Sequence, residues 1–159
     1  FLFLLIFFTC LNLFAFFNIA SFFKFKSFLG DSGSTMIGFI LGCLLIYYSQ
    51  GKNMYIYPYQ VIWIAPLPFF DFARVIISRL YYKTNPFKPK KDHIHHIILN
   101  NKNSSKKTLL ILLILNFLLI VIGLSFSYFL PSYSILTFVF FFLCYLLIVN
   151  FKIAKLYEN

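Results

Sequence analysis

Charge is what this sequence has least of. Only 11% of its 159 residues are charged, against roughly 25% in an ordinary soluble domain. Four are acidic: Asp31, Asp71, Asp92 and Glu158. A soluble chain of this length must cover its surface with polar groups, so the shortage excludes a soluble globular domain. Disorder is excluded too, because it needs low hydrophobicity, whereas 61% of the residues are apolar, with 24 Phe and 11 Tyr. Cysteine is also scarce. Cys10, Cys43 and Cys144 are scattered through apolar runs without CxxC spacing. That argues against a disulfide framework or a zinc site and for small buried hydrophobes. A basic n-region is missing as well: Phe1 already lies in an apolar stretch. A signal peptide is therefore not expected, and the sequence is expected to continue upstream.

What is present is a series of long apolar runs. About 20 helical residues cross a hydrocarbon core of roughly 30 Å. Five segments meet or approach that length, at about 1–23, 33–50, 54–80, 108–130 and 132–151. The expected fold is an all-α polytopic helix bundle forming a single membrane domain. The third segment contains Pro58, Pro66 and Pro68, which should kink or break its helix.

The net charge of +10 resolves along these segments. Lys24 and Lys26 follow the first, and only Lys52 follows the second. The connection after the third carries Lys83, Lys88, Lys90, Lys91, Lys102, Lys106 and Lys107. The turn at Pro131 has no charge, and Lys152 and Lys155 follow the fifth. Rich and poor loops alternate, which places loops 24–32 and 81–107 and the C-terminal end in the cytoplasm. The basic excess belongs to membrane topology, and no nucleic-acid partner is expected.

Three motifs gather the scarce polar groups. The first, Phe28-Leu29-Gly30-Asp31-Ser32-Gly33-Ser34-Thr35, opens the second segment. Its glycines allow a tight turn, and Ser32 or Ser34 is a candidate cap. The free N–H groups of the helix favour a phosphate. A carboxylate beside that phosphate calls for a cation between them, which suits Mg²⁺; otherwise Asp31 is only a cap or turn residue. The second motif, Pro66 to Arg74, places Asp71 and Arg74 at i and i+3 within a segment, where they can pair and face the interior. They serve either as a structural ion pair or as part of a site. The third, Lys88 to Leu99, holds Lys90, Lys91, Asp92 and all three histidines, His93, His95 and His96. Asp92 is a candidate N-cap, and Ile94, Ile97 and Ile98 form a helical stripe. The short amphipathic helix would leave His93 and His96 on one polar side, able to donate to phosphate or move protons. The alternative is a solvated basic loop.

The three motifs, in this order and membrane setting, resemble the polyprenyl-phosphate N-acetylhexosamine-1-phosphate transferases, which include the lipid I synthase of peptidoglycan. The matching stretches are Phe28–Gly42, Trp63–Leu80 and Pro86–Leu99. The His-Ile-His-His form looks most like the branch that loads GlcNAc-1-phosphate onto undecaprenyl phosphate. The resemblance is strong over roughly residues 10 to 100 and lies with the C-terminal half of such enzymes. Their earlier Asp-Asp and Asp-Gly-Asp-Gly motifs do not occur in this sequence.

The resemblance implies that a polyprenyl phosphate attacks the β-phosphate of a UDP-N-acetylhexosamine and releases UMP. Asp31 would be a Mg²⁺ ligand, with Mn²⁺ as the alternative ion. His93, His95 and His96 would line the diphosphate site. Gly30, Ser32, Lys90, Lys91, Asp71 and Arg74 would bind or support the substrates. The setting would be the bacterial inner membrane at the start of cell-envelope polysaccharide synthesis, such as lipopolysaccharide or peptidoglycan. A homodimer is compatible with it. The 159-residue chain alone is expected to be inactive. The alternatives are phospho-MurNAc-pentapeptide transfer, a non-catalytic membrane fragment or pseudoenzyme, and a transporter, which a broken span and an intramembrane acid would suit.

Overall fold

The structure, a computed structural model, describes residues 2–19, 29–51, 54–83, 85, 93–100 and 104–157. Among them the chain is all-α, with no strand. It divides into two units, Phe1–Tyr47 and Tyr48–Asn159.

The first unit holds α1 (Leu2–Ile19) and most of α2 (Gly30–Ser49). The few polar side chains of α1 turn back on their own helix. Thr9 donates to the Ile6 carbonyl at 2.8 Å and Asn12 to the Phe8 carbonyl at 2.7 Å, which is how a polar group is satisfied where no water is at hand. The start of α2 differs from the serine-capped start expected. The helix begins at Gly30, whose φ of +71° lies in the left-handed region that favours glycine. Ser32 and Ser34 therefore fall inside the helix, and Ser34 donates to the Asp31 carbonyl at 2.9 Å.

The second unit holds α3 (Pro58–Val61), α4 (Pro66–Tyr81), α5 (Ile94–Asn100), α6 (Ser105–Phe129), one 3₁₀ turn (Pro131–Tyr133) and α7 (Ser134–Tyr157). The third apolar segment is thus two helices. The break falls immediately before Pro66, where the proline excludes the preceding residue from α-helical backbone; Ala65 sits at φ −135°, ψ 58°. A helix that starts in mid-segment exposes N–H groups. The Leu67 N–H is satisfied by Asn116 Oδ1 of α6 at 3.2 Å.

Long α6 is the spine of this unit. Where α3 meets it, Gly123 accepts the face of Trp63 so closely that a Cβ there would lie 1.9 Å from the indole. Trp63 is fully buried, stacks edge-on against Phe138 and donates through Nε1 to Ser134 Oγ at 3.1 Å. Ser127 lies 2.7 Å from that oxygen and donates to the Gly123 carbonyl at 2.7 Å. The buried indole N–H and both hydroxyls are thereby paired, as burial requires. Leu67, Phe70, Ile97, Tyr145 and Val149 continue the core toward α5.

Among the described residues three helical stretches are long and apolar enough to cross a membrane: Gly30–Ser49, Ser105–Phe129 and Pro131–Asn150. Their outer faces carry exposed Phe39, Phe117 and Phe140, an arrangement stable in lipid and costly in water. The same reversal corrects the reading of the cysteines as buried. Cys10 and Cys43 are exposed and Cys144 is half-buried, because apolar side chains lose nothing by facing lipid.

Candidate functional site

One of the four acidic residues organises the second unit. Asp71, on α4, is 8% exposed, and a buried carboxylate must be paired and hydrogen-bonded. Four donors converge on it. Arg74 Nη2, one turn along α4, reaches Oδ1 at 3.0 Å. The Ile94 N–H at the start of α5 reaches the same oxygen at 3.0 Å, and the Tyr145 hydroxyl of α7 reaches it at 3.1 Å. His93 Nδ1 lies 2.8 Å from Oδ2. One carboxylate thus ties together α4, α7 and the segment that carries the histidines.

A carboxylate only accepts, so Nδ1 of His93 is the protonated, donating nitrogen in this pair. Nε2 is left as the nitrogen for chemistry elsewhere, and the His93 side chain is 39% exposed. The helix from Ile94 places the other two imidazoles nearby. The His95 ring stacks on His93 at a centroid distance of 5.8 Å and lies 4.1 Å from that of His96. His95 is thus the neighbour of both other rings, and the His96 backbone N–H donates to the His93 carbonyl at 3.0 Å, one turn apart. Partial burial holds its pKa below the ordinary histidine value. The charges of His96 and His93 act in the same direction, and Asp71 opposes them.

Beside this cluster a partly open apolar cavity of about 630 Å³ lies between α4, α5, α6 and α7, with Phe70, Ile97, Leu119, Phe141 and Tyr145 in its wall. Tyr145 belongs to both places: its ring lines the cavity and its hydroxyl meets Asp71.

The remaining expected residues are distributed as follows. Gly30, Asp31 and Ser32 stand in the first turn of α2, in the first unit, with Asp31 and Ser32 exposed. Lys90, Lys91 and Asp92 lie outside the described residues. Among the described residues no three His, Cys, Asp or Glu side chains gather as a metal cluster. The Asp31 carboxylate is a single hard oxygen ligand, a donor suited to Mg²⁺ that is otherwise held by substrate phosphates. Asp71 is less suited, because both its oxygens are already occupied by donors. Tyr145 escaped the sequence reading. Its one signal is that a tyrosine buried in an apolar helix needs a partner for its hydroxyl, and with 11 tyrosines in the chain that signal singles out none.

Several known proteins similar to the chain carry the same description. The undecaprenyl-phosphate alpha-N-acetylglucosaminyl 1-phosphate transferase of Escherichia coli O157:H7 is 35% identical over 126 residues, 78% of this chain and 34% of the relative. The protein of the same name from Escherichia coli K12 is 33% identical over 115 residues, 71% of this chain and 31% of the relative. That of Salmonella typhi is 40% identical over 75 residues, 47% of this chain and 20% of the relative. The chain therefore spans about a third of the length of these two Escherichia coli relatives. No family model and no solved structure matches it.

Proposed function

We propose, for a chain that belongs to the family of the undecaprenyl-phosphate alpha-N-acetylglucosaminyl 1-phosphate transferases, a part in transferring GlcNAc-1-phosphate from UDP-GlcNAc to undecaprenyl phosphate. An oxygen of the polyprenyl phosphate bonds to the β-phosphorus of the UDP-sugar. The bond from that phosphorus to the α-phosphate oxygen breaks, and UMP leaves with the electron pair. The reaction places several anionic oxygens together, so catalysis rests on alignment and on donors aimed at the phosphates.

The observation that carries this reading is the Asp71–His93 pair. Asp71 fixes the orientation of His93 through Nδ1–H, which leaves Nε2 for the substrate, where it accepts a proton in the neutral ring and donates to a phosphate oxygen in the imidazolium form. His95 and His96 add donors beside it, and Arg74 acts through Asp71. Asp31 would hold Mg²⁺, or Mn²⁺ in its place, which when bound supplies positive charge between the phosphate groups. The apolar cavity beside Tyr145 suits hydrocarbon, the character of the acceptor's chain. The setting proposed is the bacterial inner membrane, with loops 24–32 and 81–107 on the cytoplasmic face, at the first membrane step of a cell-envelope polysaccharide. The 159-residue polypeptide alone does not carry out the transfer.

The test is to express the protein from its complete reading frame and supply undecaprenyl phosphate with a panel of UDP-sugars. Release of UMP with formation of the lipid-linked sugar phosphate is expected, with UDP-GlcNAc preferred. No polyprenyl-dependent UMP release from any UDP-sugar would sink the proposal.

A further inference from the structure

We infer that Tyr145, on the apolar helix α7, is a positioning residue that sets the orientation of His93 through Asp71. The inference rests on the transferase reading for its catalytic consequence and on geometry alone for the positioning itself.

The terminal torsion of an aspartate is broad and roughly two-fold, so nothing intrinsic to Asp71 holds its two oxygens in place. What holds them is the set of donors. Oδ1 is clamped by three groups from three elements: Arg74 of α4, the Ile94 N–H of α5 and the Tyr145 hydroxyl of α7. Because the carboxylate is planar, clamping Oδ1 fixes where Oδ2 stands, and Oδ2 is the oxygen that His93 faces at 2.8 Å. Two of the three clamping donors are sequence neighbours of the groups they orient. Tyr145 is the exception, arriving from 74 positions away.

The position of Tyr145 is itself fixed. The residue is 8% exposed, and its ring lies 5.7 Å from that of Phe70, which in turn packs on Phe138 and Phe142. For packing alone a phenylalanine would serve, and it would avoid burying a hydroxyl in an apolar helix, which costs free energy unless the hydroxyl is bonded. Here the hydroxyl spends its single proton on the carboxylate that holds the histidine.

The test uses the protein expressed from its complete reading frame, purified in detergent, and compares Tyr145→Phe with wild type in two ways. In kinetics with UDP-GlcNAc and undecaprenyl phosphate, kcat should fall roughly tenfold, the effect of losing one hydrogen bond to a charged group, while KM for the UDP-sugar changes by less than about twofold. In nitrogen NMR of ¹⁵N-histidine-labelled protein, the His93 ring signals, assigned with a His93→Gln variant, should move between wild type and Tyr145→Phe. Unmoved His93 signals overturn the positioning role even if kcat falls, because Tyr145 would then act only on packing. Unchanged kcat overturns the catalytic consequence. If the wild type shows no transfer at all, the functional reading fails while the NMR comparison still decides the positioning. Should Tyr145→Phe not fold, 3-fluorotyrosine at the same position keeps the shape and strengthens donation. The His93 signals must then shift, and their constancy overturns the inference.

Discussion

His93 Nδ1 stands 2.8 Å from Asp71 Oδ2, so a side chain that is 39% exposed, just before α5, is held by a carboxylate buried on α4. The pair joins the histidine segment to the bundle, and the same carboxylate neutralises Arg74, which is 1% exposed. Stability and orientation therefore depend on one side chain.

Asp71→Asn separates the two roles. The amide leaves Arg74 buried opposite a neutral group, and breaking a buried ion pair by removing one partner costs about 3–5 kcal/mol. Thermal unfolding in detergent should show a loss of that order. Transfer should fall by at least about tenfold, because the His93 N–H loses its anionic acceptor. His93→Gln should match the activity loss with a much smaller change in melting. Equal melting losses for both variants would contradict the assignment.

Gly123→Ala tests the packing at the other end of the core. The added Cβ would meet the Trp63 indole at 1.9 Å, and the indole cannot retreat without breaking its bond to Ser134. Overpacking of this kind costs about 1–3 kcal/mol. Combined with Trp63→Leu, which removes the ring, the alanine should cost markedly less than it does alone. Strictly additive losses in thermal unfolding would mean that the two residues do not oppose each other.

Much of this was legible from residue types, and the remainder was lost for physical reasons. Pro66 announced the break in the third segment, because a proline restricts the residue before it whatever surrounds it. The isoleucines at 94, 97 and 98 announced a short helix, and α5 runs Ile94–Asn100. The i, i+3 spacing of Asp71 and Arg74 announced a pair, and they lie 3.0 Å apart. The partnership of Asp71 with His93 and Tyr145 was not legible. It spans 22 and 74 residues, and no local rule relates positions that only tertiary packing brings together. The start of α2 does not follow the two serines that local rules favour as caps, because the turn is made at Gly30 by backbone freedom.

His95 gives the protein a dependence on pH whose sign is fixed. Its folded pKa lies below the ordinary value of 6.5, through partial burial and then through the charges of His96 and His93. The unfolded chain therefore binds the proton more readily. Above pH 6.5 neither state is protonated at this site and nothing is lost; as pH falls below that value, protonation favours unfolding. Thermal unfolding compared at pH 7.5 and 5.5 should show a decline that His95→Gln reduces. A decline of equal size in that variant would assign the effect to other groups.

Asp31→Asn should separate chemistry from folding more cleanly than any change in the second unit. Asp31 is exposed in the first turn of α2, and exposed substitutions of this kind usually stay within about 0.5 kcal/mol in stability. Its backbone carbonyl, which accepts from Ser34 and Thr35, is unaffected by the change. Membrane insertion and melting should therefore match wild type. Transfer should be lost, since an amide is a far poorer Mg²⁺ ligand than a carboxylate. The same protein stripped with a chelator should lose transfer and regain it with Mg²⁺, and Asp31→Asn should need a much higher Mg²⁺ concentration or show no recovery. Full activity of Asp31→Asn at the wild-type Mg²⁺ requirement would remove Asp31 from the metal site and leave it as the first-turn acid of α2.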